Sequence, residues 1–269
     1  MDEYSLLYLL VGGLAGLLAG LFGIGGGIIL VPLFFWCFSA RYGSDLAMHL
    51  ALGSSATVVL CNSLISGWHH HKKQAVNWLA VKWLAPGLLI GSIWGAALAS
   101  HLSGLRLQQI FALFLVVLAA HLVWKAWSKP SRPVRLPQHP IKSWHYSLMG
   151  LVIGHCSGLL AIGGGSLTVP FLVLRQGFTM RHGVATAAVC GTPIALAASM
   201  TYGVMGAGQL GLPSLASGYL YWPAIIATLI TSLFSARWGV ALAHRCPNTV
   251  LQGAFALLLL VSAGLLWPY

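Results

Sequence analysis

The sequence predicts an all-α polytopic membrane protein made of two homologous, inverted repeats. Of its 269 residues, 58% are hydrophobic and 6% are charged, whereas a soluble domain contains about 25% charged residues. A glycine segment occurs twice, as Gly-Ile-Gly-Gly-Gly at 23–27 and Ala-Ile-Gly-Gly-Gly at 161–165. The Lys and Arg residues lie mostly between long apolar stretches, as in membrane proteins. Each repeat is expected to contain a glycine-broken helix unit and three transmembrane helices.

The apolar stretches divide the chain into two halves of the same plan. The first repeat, 1–127, has its broken unit at about 5–38 and helices near 46–67, 78–100 and 106–127. The second repeat, 144–269, has its broken unit at about 144–175 and helices near 182–205, 218–242 and 248–267. A basic, proline-bearing linker at 128–143 joins them.

Residue matches between the halves support the repeat. With an offset of 138, residues 12–32 match residues 150–170 at ten of twenty-one positions. Three consecutive glycines break a helix, because glycine loses the most backbone entropy and leaves its amides exposed. Two breaks at corresponding places in two halves of a membrane protein indicate the binding site of a transporter.

The distribution of the fourteen Lys and Arg residues distinguishes parallel from inverted halves. If each broken unit crosses the membrane once, the halves are parallel and the basic residues divide eight to six. If each unit enters and returns on its own side, twelve share the linker side and only Arg41 and Arg106 lie opposite. The positive-inside rule favours the second arrangement. We therefore expect a multi-pass protein of the bacterial inner membrane, with both termini outside and linker 128–143 cytoplasmic.

The glycine breaks are the predicted substrate site. A short helix begins after each break, and its first amides have no partner within the helix. Those amides and the positive helix end can bind an anion without a charged side chain. The predicted substrate-binding residues here are Gly25, Gly26, Gly27, Gly163, Gly164, Gly165 and Ser166. The alternative is that the triplets only permit tight helix packing, a role assigned to Gly12, Gly16, Gly20, Gly150, Gly154 and Gly158.

Polar residues on the helices after each broken unit are further candidates. They are Ser54, Ser55 and Asn62 in the first repeat, and Thr186 and Thr192 in the second. Their polar groups can complete a shell around an oxyanion, or the hydroxyls can bond the carbonyl four residues earlier in their own helix. His49 and His182 begin equivalent helices and are candidates for a proton or gating role. The alternative is that they are interfacial histidines without a mechanistic role.

Several classes of site are disfavoured by the residue types present. The three acidic residues, Asp2, Glu3 and Asp45, lie near segment ends, which argues against a carboxylate proton relay in the membrane. Scattered cysteines and histidines predict no metal site, and the tract His69–His71 is expected in a cytoplasmic turn. No cofactor, catalytic set or nucleic-acid partner is predicted. The expected partners are a small anionic substrate and the lipid bilayer, and a homo-oligomer remains open.

At the glycine segments the chain resembles the sulfite exporter TauE/SafE family of bacterial membrane permeases. The resemblance rests on the repeated Gly-Ile-Gly-Gly-Gly-x-x-x-Val-Pro type segments at 23–32 and 161–170. The stretch 51–55 is also similar to the family's Gly-Thr-Ser segment, although Ser54 stands where the family often has threonine. Ala161 is a second departure, because glycine occupies the matching position 23. The resemblance implies export or uptake of small sulfur-containing anions.

Together these observations predict a secondary transporter or exporter rather than an enzyme. Its expected substrate is a small oxyanion, sulfite or an organosulfonate, moved by alternating access. One alternative is a divalent metal-ion permease, motivated by the eleven histidines. The other is an intramembrane serine hydrolase with Ser166 as nucleophile and His155 or His182 as base.

Overall fold

The structure is a computed structural model that describes residues 5–22, 25–127, 143–243 and 248–267. The predicted linker, apart from Ser143, lies outside the described residues. Gly23 and Ile24 of the first glycine segment lie outside them as well.

The described chain is almost entirely helical, as the sequence predicted. Its helices are α1 (Ser5–Phe22), α2 (Gly27–Lys72), α3 (Trp78–His101), α4 (Gly104–Trp127), α5 (Ser143–Leu159), α6 (Gly165–Pro170), a π-helix (Phe171–Arg175), α7 (Met180–Met205), α8 (Trp222–Ala243) and α9 (Asn248–Leu266). Strands β1 (Ala216–Ser217) and β2 (Leu220–Tyr221) form one antiparallel pair.

Four of the described helical stretches are long and apolar enough to cross a membrane: Gly27–Lys72, Trp78–His101, Gly104–His121 and Met180–Met205. Shorter apolar stretches occur at Leu6–Leu18, Trp222–Ser235 and Ala256–Leu266. The outward faces of these helices carry large exposed apolar side chains, among them Ile90, Trp94 and Leu113. Such a surface fits lipid contact and would be costly in water. The protein is a multi-pass α-helical membrane protein.

Helix α2 consists of two helices that meet at Gly43. The backbone of Gly43 is not helical (φ 73°, ψ 157°), and it separates a return helix at 27–42, here α2a, from a long helix at 44–72, here α2b. The prediction that His69–His71 lie in a turn was wrong, because α2b continues to Lys72. The ammonium of Lys72 lies 3.7 Å from the Trp68 ring centre, a cation–π contact that stabilises this last turn.

The predicted helix near 218–242 also begins later than expected. Residues 216–221 form the β1–β2 hairpin, and α8 starts at Trp222. Gly218 adopts a positive φ of 60° in the hairpin turn, a conformation that glycine adopts without steric cost. The first residues of the predicted helix, 218–221, therefore belong to the hairpin and not to a helix.

The first helix of each half packs against the third helix of the other half. Along the contact between α3 and α5, Gly87 lies against Ser147, Gly91 against Leu151 and Gly95 against His155, so these helices run parallel. Helices α1 and α8 also run parallel, with Gly12 against Thr228 and Gly16 against Ser232. The packing role is confirmed for Gly12, Gly16, Gly150, Gly154 and Gly158, whereas the surroundings of Gly20 are outside the described part.

The second long helices of the halves, α2b and α7, run antiparallel at the centre. The hydroxyls of Thr57 and Ser199 are 3.3 Å apart. Further along α2b, Ser63 lies against Gly191 and Gly67 lies against Val189, so residue numbers rise on one helix while they fall on the other. Helices α4 and α9 pack together as well.

Helices α1 and α5 begin at opposite ends of the bundle. At one end Tyr8, near the start of α1, packs edge-on against Phe38 and Tyr221. At the other end Tyr146, near the start of α5, packs edge-on against Phe171, and the hydroxyl of Ser147 donates to the Trp83 carbonyl oxygen. The first helices of the two halves therefore start beside different residues and point in opposite directions.

We expect Gly91→Ala to destabilise the protein strongly. A methyl group at Gly91 would lie 2.1 Å from the Leu151 carbonyl oxygen, and overpacking of this kind costs about 1–3 kcal/mol or more. Gly13→Ala is the matched control, because a methyl group there would meet no atom within 4 Å. The measurement is the unfolding midpoint in mild detergent. Equal midpoints for the two variants would contradict the close packing of α3 on α5.

Candidate functional site

The two glycine breaks contact each other. Gly25 and Gly26 have φ of 77° and 91°, so the turn between α1 and α2a requires the left-handed region that glycine tolerates. A methyl group added to Gly27 would lie 2.7 Å from the Ala161 carbonyl oxygen and 3.1 Å from the Gly163 nitrogen. The structure thus brings the two breaks together, with backbone against backbone.

Ala161 opens the second break in a strained conformation. Its φ is 50°, which is uncommon for a residue with a Cβ. This is the position at which the second repeat departs from the glycine of the first. The neighbouring Ile162 N–H donates back to the Ser157 carbonyl oxygen over 3.0 Å, which holds the chain in this turn.

Unpaired backbone amides line both breaks. Within the described residues, the amides of 163–167 have no hydrogen-bond acceptor, and the first bond of α6 runs from Thr168 N–H to the Gly164 carbonyl oxygen at 2.9 Å. At the first break, the N–H groups of Ile29 and Leu30 share the Gly26 carbonyl oxygen, and no acceptor in the described part faces the amides of 25–27. Buried amides are otherwise almost always paired, so these donors form a candidate anion site.

Buried hydroxyl groups lie close to these amides. Ser166 is 7% exposed, and its Oγ has no hydrogen-bond partner among the described residues. The same holds for the fully buried hydroxyls of Ser55 on α2b and Thr168 on α6. Ser55 is one turn from Val59, the side chain nearest Gly25, and so lies on the same face of α2b. These three hydroxyls can donate to a ligand held at the amides.

Helix α7 forms one wall of the second break. Gly191 and Ile194 are the residues closest to Gly164, and Ser63 of α2b lies directly against Gly191. Asn62 and Thr192, both predicted candidates, are half-buried beside Ser63 and Gly191 in the sequence. The sequence did not indicate Ser63 and Thr168 as candidates, since a single hydroxyl in an apolar helix carries no motif.

Ser54 and Thr186 have an additional structural task. The Ser54 hydroxyl accepts the N–H of Tyr221, just before α8, over 3.0 Å. The Thr186 hydroxyl accepts the N–H of Asn77, just before α3, over the same distance. Each residue therefore satisfies an amide at the start of a helix. The two bonds occupy corresponding places in the two halves.

The two candidate histidines lie away from the breaks. His49 is 4% exposed, its Nδ1 is 2.9 Å from the Asp45 carbonyl oxygen, and its ring stacks on Tyr219. His182 is exposed, and its Nδ1 is 2.9 Å from the Ala75 carbonyl oxygen. Each histidine sits at the corner where its long helix begins. The structure does not bring them together.

The described part of the chain does not contain the side-chain groupings that a metal-ion permease or a serine hydrolase would use. No three His, Cys, Asp or Glu side chains are grouped there as a metal site requires. Ser166 Oγ has no base within hydrogen-bond distance there, so no nucleophile–base pair is formed.

Tyr202 holds the second break in place, a role that the sequence did not suggest. This fully buried residue of α7 donates its hydroxyl to the carbonyl oxygens of Gly158 and Leu159, at 3.1 and 3.0 Å. These carbonyls lie at the end of α5, where the helical hydrogen bonds run out; the Gly158 oxygen also accepts the Ala161 N–H at 3.4 Å. Tyr202 thereby fixes the end of α5, where the break begins.

The sequence profile described as "Sulfite exporter TauE/SafE" matches residues 8–266. The chain belongs to this family. It is 33% identical over 264 residues to a probable membrane transporter protein of Haemophilus influenzae, covering 98% of each chain. It is 26% identical over 251 residues to a probable membrane transporter protein of Methanocaldococcus jannaschii, covering 89% of this chain and 86% of that one. No solved structure matches the chain.

We expect Tyr202→Phe to destabilise the protein, because it leaves the carbonyl group of Leu159 without its donor and removes one of the two donors to Gly158. The expected loss is about 1–3 kcal/mol, measured by unfolding in mixed detergent micelles. Tyr146→Phe is the control, since Tyr146 is also buried and makes a ring contact, but no hydrogen bond of its hydroxyl is found in the described part. Equal stability of the two variants would contradict the role of Tyr202.

Proposed function

We propose that the protein is a secondary transporter of a small oxyanion, sulfite or an organosulfonate, in the bacterial inner membrane. The observation that carries the proposal is the contact between two glycine breaks whose amides are unpaired. The sequence around them contains no charged residue at 4–40 or 143–174, and the helices that cover them have none at 46–71 or 183–205. Backbone amides and hydroxyls are therefore the polar groups that can bind a substrate there.

This set of donors suits a small oxyanion. Unpaired amides at a helix start present N–H groups and a partial positive charge to a negatively charged ligand. The hydroxyls of Ser166, Thr168 and Ser55 add donors without adding charge. Because no fixed cation neutralises the ligand, binding is expected to be weak enough for release on either side. The family's description supports a sulfur oxyanion as substrate, and the relatives' names support membrane transport.

We also propose that the two halves are inverted repeats. Parallel halves would place the corresponding helices α2b and α7 in the same direction, and these helices run antiparallel. The start of α1 lies beside Tyr221 and the start of α5 lies beside Phe171, at opposite ends of the bundle. With the distribution of Lys and Arg, this supports a cytoplasmic linker and external termini.

Inverted repeats provide a route to alternating access. Each half packs its first helix on the third helix of the other, so a rocking motion exchanges equivalent contacts around the central breaks. Moving an anion out of an inside-negative cell gains about 2.3 kcal/mol per charge per 100 mV. Efflux can therefore proceed without a proton relay, in agreement with the positions of the three acidic residues. No enzymatic step is part of this proposal.

Anion flux in proteoliposomes tests the proposal. We expect sulfite or methanesulfonate flux in the wild type and at least a tenfold loss in Gly164→Leu, because the added side chain would press on Ile194 and Gly191. Gly13→Leu is the matched control, since an added Cβ there meets open space. Flux that is equal in both variants, or absent from the wild type for every anion tested, would contradict an anion site at the breaks.

A further inference from the structure

A second polar cavity lies at the corner between α2a and α2b. It has a volume of about 580 Å³ and is lined by residues 41–46 and 209–211 together with His49 and Tyr219. These residues come from both halves of the chain. The cavity lies at the end of the bundle where α1 begins, because Tyr42 of its lining packs on Tyr221, with ring centres 6.2 Å apart, and Tyr221 packs on Tyr8.

His49 gives this cavity an unsatisfied hydrogen-bonding group. A carbonyl oxygen only accepts, so the contact with the Asp45 carbonyl requires the hydrogen on Nδ1 of His49. In the neutral ring, Nε2 is then an acceptor. It has no hydrogen-bond partner among the described residues, although the side chain is only 4% exposed. Stacking on Tyr219 at 4.9 Å fixes the plane of the ring. A ligand with an O–H group can satisfy Nε2.

The charges around the cavity favour a singly charged anion. The exposed guanidinium of Arg41 supplies a positive charge at the rim, 5.6 Å from the Tyr42 ring centre. Asp45 supplies a negative charge, which its bond from the Gly104 N–H at the start of α4 partly offsets. Burial, and then the charge of Asp45, raise the pKa of Tyr219, so its hydroxyl keeps its proton. A dianion would meet the Asp45 carboxylate, and an uncharged ligand would gain nothing from the positive charge of Arg41.

The cavity is separate from the glycine breaks. His49 and Val59, the residue of α2b nearest Gly25, are ten positions apart on one helix, or about 15 Å. That is roughly half of a hydrocarbon core about 30 Å thick. An anion in the cavity would therefore sit near the membrane surface, and one at the breaks would sit near the middle.

We propose that this cavity is a second binding site on the path of the transported anion and selects an oxyanion that carries one proton, such as hydrogensulfite. The O–H of the ligand donates to His49 Nε2, while its charged oxygens accept from Arg41 and from the Tyr219 hydroxyl. An organosulfonate fits the charge but has no O–H for His49. The proposal rests on the proposed anion transport for its substrate class, and it adds a second site with its own selectivity.

Calorimetric titration of the purified full-length protein tests this proposal. The probes are sodium sulfite near neutral pH, which contains hydrogensulfite, and methanesulfonate, which has no ionisable proton there. We expect sulfite to occupy two sites in the wild type and methanesulfonate to bind at least tenfold more weakly to one of them. Arg41→Gln should weaken sulfite binding at that site at least tenfold.

Two further variants identify which groups act. Arg106→Gln removes another exposed arginine, outside the cavity lining, and should leave both sites unchanged. His49→Phe keeps a ring that can stack on Tyr219, and it should abolish the preference for sulfite over methanesulfonate at the cavity. Wild-type binding in Arg41→Gln, or an unchanged preference in His49→Phe, would overturn the proposal.

Flux separates this proposal from the proposed function. If Gly164→Leu lowers flux while Arg41→Gln binds sulfite like the wild type, the cavity site is wrong and the transport site stands. If Gly164→Leu leaves flux unchanged while Arg41→Gln loses one sulfite site, the cavity site stands and the transport site is wrong.

Discussion

The need to pair or bury every backbone polar group in a membrane governs this structure. Two helix breaks at Gly25–Gly26 and Ala161–Gly164 leave amides without partners, and lipid can offer them none. The protein encloses the breaks by placing them against each other and covering them with α2b and α7. Tyr202 satisfies the carbonyl groups that end α5, but the amides of 163–167 remain open. The remaining donors are concentrated at one place in the molecule, which is where a substrate can use them.

Close packing of small residues holds this arrangement. The contacts of α3 with α5 and of α1 with α8 are centred on glycines, so backbones of different halves approach closely. These contacts join the halves, and the breaks meet only because the halves are joined in this way. A substitution on α3 far from the breaks can therefore affect them through the position of α5.

The sequence predicted the features that depend on local composition and repetition. Glycine triplets predict broken helices, and the small-residue spacing of Gly150, Gly154 and Gly158 predicts a packed face. Long-range pairing was not accessible: nothing local indicates that Ser54 bonds Tyr221 or that Thr186 bonds Asn77. The hairpin at 216–221 was not predicted, because its apolar residues resemble the start of a helix. The structure shows the turn through the positive φ of Gly218. Tyr202 carries no motif, since its role depends on where α5 ends.

Crystallographic location of a bound anion tests the central claim most directly. Selenite has the shape and charge of sulfite, and its selenium atom gives an anomalous signal that marks its position. The account predicts an anomalous peak between the two breaks, within hydrogen-bond distance of the amides of Gly164 and Gly165. Selenium found only elsewhere, with the breaks closed against each other at saturating selenite, would contradict it.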